Sequence, residues 1–322
     1  MTGKRILIIR NDHLGDLILS LPVADALREK FPDSYIAYLA APGPAGVSEL
    51  VDYVDQWIID TDPIRKSAIK LAIELKKYNF DLSIELKPSW HTALATKLAG
   101  IKMRIGTSRR FYSFLYSRRL SIHRRGSGLH QTDLDLELLG PFGINTDGRQ
   151  PRLSAKEAHL VAAKKTIGNS ISKYIVIHPG SSGSAPNWPL TNYWILSQII
   201  MDKTDLDIVI TGEEIYSPPQ SCINLGGKTK SIAELAGVLA GSAVFISGNT
   251  GPMHLADALG VKCLSFSIRH PEIGIDRWGP RRNMDNVILP EMYCHCGNLK
   301  HCSCLETICP ETVFEKLKEL LK

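Results

Sequence analysis

No stretch of this chain is apolar over the 18 or more residues that a membrane-crossing helix needs. Its first apolar run, Ile6 to Ile9, is followed at once by Arg10, Asp12 and Asp16. That run is too short for the apolar region of a secretory leader and no cleavage site follows it, so a cytoplasmic protein is expected. Heptads and short repeats are missing as well, which argues against a coiled coil or a repeat array. Acidic residues are absent from one long segment: residues 86–132 hold ten Lys or Arg and no Asp or Glu. With a net charge of only +5 for the whole chain, this concentration matters more than the total. It suits a polyanion, an anionic membrane surface or a phosphorylated substrate, although a solvated basic face is the plainer reading. Phe111, Tyr112, Phe114 and Tyr116 interleave with its arginines. Aromatics so placed can stack single-stranded nucleic acid, but no nucleic-acid-binding motif accompanies them, and nucleic acid is not an expected partner.

What is present fits a soluble α/β protein. A chain of 322 residues with 44% hydrophobic content is comfortable for two domains. Short apolar runs rich in β-branched residues alternate with helical patterns. Lys4 to Arg10, Ser34 to Leu39, Gln56 to Ile59 and Asp81 to Glu85 read as strands. Leu17 to Phe31, broken or kinked at Pro22, Ile64 to Tyr78, His91 to Ala99 and Thr132 to Leu139 read as helices. Gly140, Pro141, Gly143 and the polar run from Asn145 to Arg152 interrupt the alternation, which puts a boundary near 145–155. A second alternation starts at Lys173 to His178 and ends in a helix from Pro310. The reading is therefore two Rossmann-like domains, 1–150 and 151–322, facing across a cleft.

Four stretches carry chemistry. In Ser247-Gly-Asn-Thr-Gly-Pro-Met-His-Leu-Ala-Asp-Ala-Leu-Gly260 a strand from Ala243 runs through a glycine-rich turn into a helix, with Thr250 as its N-cap and Pro252 as its first residue. Backbone N–H groups and a helix dipole converge there, which suits phosphate; an ordinary βα turn would bind nothing. In Arg10-Asn-Asp-His-Leu-Gly-Asp16, Asp16 opens a helix beyond a strand's carboxyl end and stays charged there, as a base or simply as a cap, with Asp12 and His13 as alternative bases. In Ile177-His-Pro-Gly-Ser-Ser-Gly-Ser-Ala-Pro-Asn-Trp-Pro189, a loop of Gly180, Ser181, Ser182 and Gly183 offers N–H and hydroxyl donors to a diphosphate. In Thr211-Gly-Glu-Glu214, Glu213 or Glu214 could accept hydrogen bonds from a ribose diol.

Five of the seven cysteines crowd into Cys294-His-Cys296, Cys302-Ser-Cys304 and Cys309. In a reducing compartment such a cluster suggests metal or redox chemistry before disulfides. Cys294, Cys296, Cys302, Cys304 and Cys309 are the candidate ligands of a structural zinc or iron: two C-x-C pairs could give four thiolates, one of the five cysteines is spare, and His295 is a further ligand; free thiols remain an alternative.

The strings GNTGPMHLADALG, RxDxxGDxxxxLP and HPGSSGSxxNWP resemble the signatures of glycosyltransferase family 9, the ADP-heptose:lipopolysaccharide heptosyltransferases, over about residues 4–315. The resemblance implies the GT-B fold and an inverting glycosyltransferase that needs no cofactor for catalysis. It implies Asp16 as general base. Ser181, Ser182, Gly183, Asn187, Glu213, Glu214, Asn249, Thr250, Gly251 and His254 would hold a nucleotide-sugar donor such as ADP-heptose. Arg10, His13, Arg109, Arg110, Arg118 and Arg119 would face an anionic glycolipid acceptor, a lipopolysaccharide core, at the inner-membrane surface. Some relatives carry a cysteine-rich C-terminal segment, and in at least one branch it holds iron. Pro186 departs from the pattern, because the family usually has Lys or Arg there to neutralise the leaving diphosphate. That departure keeps two other readings open: a nucleotide-sugar epimerase or hydrolase on the same fold, and a non-catalytic nucleotide- or glycan-binding protein.

Overall fold

The structure is a computed structural model that describes residues 3–124, 126–181, 183, 185–213, 217–296 and 302–322, without the side chains of residues 63 and 64. It divides into two compact units, Met1–Pro151 and Arg152–Lys322.

The first unit runs β1 (Arg5–Ile9), α1 (Leu14–Lys30), β2 (Tyr35–Ala40), β3 (Gln56–Ile59), α2 (Asp62–Arg65), α3 (Ala68–Lys76), β4 (Leu82–Glu85), α4 (Trp90–Leu98), β5 (Met103–Thr107), β6 (Arg118–Leu120) and α5 (Gln131–Leu136). Its strands form one sheet in the order β3-β2-β1-β4-β5-β6, and every pairing is parallel. Central strand β1 is buried from Ile6 to Ile9, as an all-parallel sheet covered on both faces requires.

The second unit runs α6 (Glu157–Ile167), β7 (Tyr174–His178), α7 (Leu190–Lys203), β8 (Asp207–Ile210), β9 (Ile223–Asn224), α8 (Ile232–Ala240), β10 (Val244–Gly248), α9 (Gly251–Ala258), β11 (Cys263–Phe266), α10 (Ile275–Trp278), β12 (Val287–Ile288) and α11 (Pro310–Leu321). Its parallel sheet has the order β12-β11-β10-β7-β8-β9. Counted from its own first strand, each sheet therefore reads 3-2-1-4-5-6, the doubly wound dinucleotide-binding order. In each, the strand order reverses beside the first strand: between β1 and β4, and between β7 and β10.

Several local expectations change. Pro22 does not end α1, which is continuous from Leu14 to Lys30. The carbonyls of Leu19 and Ser20 beside the proline accept hydrogen bonds from Thr132 Oγ1 and Tyr38 Oη, at 3.0 and 2.9 Å. The helix expected over residues 64–78 is split into α2 and α3, because Ser67 caps a fresh start by accepting from the Lys70 N–H. The helix expected to reach Leu139 ends at Leu136 and continues as a 3-10 turn, Glu137–Phe142. Among the described residues, no helix is long and apolar enough to cross a membrane.

Candidate active site

The carboxyl ends of the second sheet's strands frame a cavity of about 310 Å³. It is lined by His178, Gly180 and Ser181 beyond β7, by Gly212 and Glu213 beyond β8, by Thr229 and Leu235, and by Thr250, Gly251 and Pro252 at the start of α9. This is the place where the strand order reverses and where open α/β sheets bind their ligands. The turns after β7 and β8 need glycine: Gly180 and Gly212 have φ of +80° and +121°. Thr250 caps α9, its Oγ1 accepting from the Met253 N–H at 3.4 Å. Gly251 is the first helical residue and Pro252 the second, one place later than expected. Gly251 keeps the entry to the helix free of side chain, and the positive end of the helix dipole faces the cavity beside it.

His178 closes the floor. Its Nδ1 lies 3.0 Å from Thr211 Oγ1. Burial lowers its pKa to about 4, so the ring is neutral at pH 7. His178 and Pro252 fall within the stretches expected to hold the donor, 178–187 and 248–254, although neither was given a role, whereas the places of Thr229 and Leu235 were missed by the sequence reading. The position of His178 was visible in principle, since the residue that ends a first parallel strand faces the switch point.

Of the expected donor residues, Ser181, Glu213, Thr250 and Gly251 meet at this cavity. Gly183 and Asn187 are exposed and lie outside its lining. Asn249 borders a separate small recess with Ala185, Pro186 and Ser267, and its Nδ2 is 3.5 Å from Ser267 Oγ. His254 is buried in α9, 4% exposed, and is not part of the lining either. Ser182 and Glu214 fall outside the described residues. Among the described residues, the lining contains no lysine or arginine. Pro186 is buried, so the position where a cation was expected is also closed to solvent.

The first unit repeats the arrangement with different chemistry. Beyond β1, Arg10 is 2% exposed. Its Nε bonds Asp12 at 2.9 Å, its Nη1 bonds Asp135 at 3.2 Å, and its Nη2 bonds Asp16. Burial disfavours the guanidinium charge, but the carboxylates of Asp135, Asp12 and Asp16 outweigh it and raise its pKa. This corrects the expectation for Arg10: its guanidinium organises three carboxylates inside the protein instead of facing an acceptor. Asp135 is fully buried and also accepts from Arg124 at 3.3 Å and Gln131 at 2.9 Å. Asp16 is the third residue of α1, His13 is its exposed N-cap, and the Asp16 side chain keeps 18% exposure. Asp16 is thus held by Arg10 yet still reaches solvent. Arg109, Arg110, Arg118 and Arg119 are all exposed.

Toward the C-terminus, the sulfurs of Cys294, Cys296, Cys302 and Cys304 lie within 4.8 Å of one another. The Cys294–Cys302 and Cys296–Cys304 Sγ pairs are 3.6 and 3.7 Å apart. A disulfide would bring two sulfurs to about 2.05 Å. Four sulfurs at about 2.3 Å from one tetrahedral ion stand about 3.8 Å apart, so the donor set fits a metal. Cys309 does not belong to it: it is exposed at the N-cap of α11, with Sγ 3.0 Å from Thr312 Oγ1.

The family model for glycosyltransferase family 9 (heptosyltransferase) matches residues 68–304. The chain belongs to glycosyltransferase family 9. This family 9 glycosyltransferase is 28% identical, over 88% of each chain, to a protein of Haemophilus influenzae named only as a glycosyltransferase. It is 26% identical, over 96% of each chain, to lipooligosaccharide heptosyltransferase 2 of Campylobacter jejuni. Its fold matches the structure of Escherichia coli ADP-heptose LPS heptosyltransferase II with a TM-score of 0.82, at 20% identity and over 98% of each chain. The fold is thus GT-B, with two Rossmann-like domains.

Proposed function

We propose that this glycosyltransferase moves heptose from ADP-heptose to an anionic lipopolysaccharide core or related glycan acceptor, with inversion at the anomeric carbon. The observation that carries this reading is the cavity at the switch point of the second sheet, where Gly180, Ser181, Glu213, Thr250 and Gly251 meet. The relatives' names supply the sugar and the acceptor.

In this reading the diphosphate lies against the start of α9. Backbone N–H groups of the Gly180–Ser181 turn and the α9 dipole stabilise charge as the diphosphate leaves. They stand in for the cation absent at Pro186. Glu213 accepts hydrogen bonds from the ribose hydroxyls. Neutral His178 gives the diphosphate no charge, but offers shape and a hydrogen bond.

Asp16 is the general base. The acceptor oxygen forms a bond to the anomeric carbon as the bond from that carbon to the diphosphate oxygen breaks. The hydroxyl proton passes to Asp16. One displacement on the face opposite the leaving group inverts the configuration. Arg10 fixes the Asp16 carboxylate and is itself fixed by Asp12 and Asp135. Exposed Arg109, Arg110, Arg118 and Arg119 attract acceptor phosphates. The reaction takes place at the cytoplasmic face of a membrane that carries the lipid acceptor. The scheme draws on no cofactor for transfer.

Cys294, Cys296, Cys302 and Cys304 hold one structural zinc or iron, which ties the segment before α11 to the core of the second unit. Leu305 and Ile308 pack in the same core cluster, and Trp188 Nε1 donates to the Ile308 carbonyl at 2.8 Å.

Calorimetric titration with ADP, GDP, UDP and CMP tests the donor. Binding of ADP above the others supports ADP-heptose. Preference for another nucleotide overturns the named donor. Binding of none favours a non-catalytic protein, the reading that Pro186 keeps open.

A further inference from the structure

The connection from β5 to β6 must cross back along the sheet, because the two strands are parallel. It does so in the segment Ser108 to Ser117, and its residues sort into two faces. Tyr112, Leu115 and Tyr116 are buried against Ala93 of α4. The Tyr116 ring lies where a Cβ on Gly106 would stand, 2.5 Å from its Cζ, so the loop is seated directly on β5. Ser113 ties the turn down: its Oγ accepts from the Arg110 N–H at 3.1 Å and donates to the Thr107 carbonyl at 2.7 Å.

Phe111 and Phe114 point the other way. They are 82% and 61% exposed, Phe111 just before the 3-10 turn Ser113–Leu115 and Phe114 within it. Trp90, 45% exposed, opens α4 and stacks on Phe111, with centroids 5.9 Å apart and planes 17° apart. Arg109 and Arg110 adjoin the rings and are exposed. Arg118 and Arg119 extend the positive charge along the free edge strand β6. The loop is anchored from below, so the outward aromatics are a fixed feature and not a frayed tip. Exposed, contiguous aromatic surface on a soluble domain marks an interaction site.

We propose that Trp90, Phe111 and Phe114, with Arg109, Arg110, Arg118 and Arg119, insert this edge of the first unit into an anionic lipid leaflet. Charge complementarity selects that occupant. The surrounding sequence, residues 86–132, contains ten basic and no acidic residues. Aromatic rings flanked by arginine match the interface between headgroups and acyl chains. Position agrees. Trp90 and Phe111 follow the carboxyl ends of β4 and β5, and Asp16 follows the carboxyl end of β1; in a parallel sheet these ends share one edge. Docking there brings Asp16 close to the membrane plane, where a lipid-anchored acceptor presents its sugars. That benefit rests on the lipid-acceptor reading, whereas the docking itself does not.

The test is flotation of the full-length protein with acceptor-free vesicles. Phosphatidylglycerol–phosphatidylethanolamine vesicles are compared with phosphatidylcholine vesicles, for wild type, the double variant Phe111→Ser/Phe114→Ser and the double variant Arg109→Gln/Arg110→Gln. Wild type should float with the anionic vesicles and release as salt rises. The arginine pair should weaken binding about 30-fold, and the phenylalanine pair at least about tenfold. Transfer by the phenylalanine variant to a delipidated, water-soluble core acceptor should be unchanged, which separates loss of docking from loss of folding or chemistry. Binding of the phenylalanine variant equal to wild type overturns the proposal, as does failure of wild type to bind anionic vesicles. A wild-type dimer in sedimentation that the phenylalanine variant lacks would also overturn it, because the patch would then bind a second copy. Failure of transfer to the soluble acceptor by wild type would count against the proposed function and leave the docking result standing.

Discussion

The guanidinium of Arg10 and the carboxylate of Asp135 meet at 3.2 Å across 125 residues of sequence, and both side chains are almost wholly buried. Asp135 is one of three carboxylates on that guanidinium; Asp12 and Asp16 are the others. A buried ion pair adds little net stability compared with apolar packing, but breaking one leaves a charge without a partner. The arrangement makes more sense as positioning: it holds the carboxylate of Asp16 beyond the carboxyl end of β1, where the proposed function needs a base.

Asp135→Asn should destabilise the first unit by about 3 kcal/mol, because Arg10 and Arg124 lose a shared buried anion. Urea unfolding followed by fluorescence checks this. A loss under about 0.5 kcal/mol, the range of ordinary surface substitutions, would show that the network has no structural weight.

Glu85 closes β4 next to the same edge, and burial raises its pKa to about 7. Thr92 Oγ1 and the Ser89 N–H donate to its Oε1. A carboxyl whose folded pKa lies above the unfolded value of about 4.5 contributes fully below that value, and its contribution is lost as pH rises through 7. Glu85→Gln preserves the acceptor oxygen and cannot ionise. It should match wild type at pH 4.5 and exceed it by up to about 3 kcal/mol at pH 8. Parallel denaturation curves at the two pH values measure the difference, and a variant less stable than wild type at pH 8 would contradict the buried-acid account.

His178 should not titrate during donor binding. Its pKa of about 4 means that it stays neutral from pH 6 to 8, so affinity for the intact nucleotide-sugar should carry no His178-dependent slope across that range. Calorimetry on wild type and His178→Gln tests this. Tightening below pH 7 that disappears in the variant would show a protonated ring contacting the diphosphate.

The four-cysteine set should retain about one zinc or iron per chain through purification, measured by elemental analysis. Cys296→Ser should lower metal content and thermal stability while Cys309→Ser changes neither, since Cys309 stands apart. Equal losses in both variants would indicate general thiol chemistry.

The sequence made the strand–helix alternation and the two sheets legible because buried parallel strands leave runs such as Ile6–Ile9 and Ile175–Ile177, which few other elements produce. Thr250 was readable as an N-cap because capping depends on residues three apart. Strands β6, β9 and β12, of three, two and two residues, carried no pattern long enough to detect. The Arg10–Asp135 pair is not legible in the chain, since the partners are distant in sequence and only the sheet and α5 bring them together. Asn187, Asn249 and His254 were placed at the donor site by the family resemblance, the last two in the stretch Ser247 to Gly260. Neighbours in sequence at a βα turn point in different directions, so only Thr250 and Gly251 of that motif reach the cavity together with Pro252.

The most direct measurement is mass spectrometry of a heptose-deficient core acceptor after incubation with ADP-heptose, for wild type and Asp16→Asn, with ADP release followed in the same samples. Wild type should add one heptose per acceptor and release one ADP per transfer. Asp16→Asn should bind ADP as before and lose about 10²- to 10⁴-fold in turnover. Transfer by Asp16→Asn at the wild-type rate, or ADP release by wild type with no gain in acceptor mass, would contradict the account.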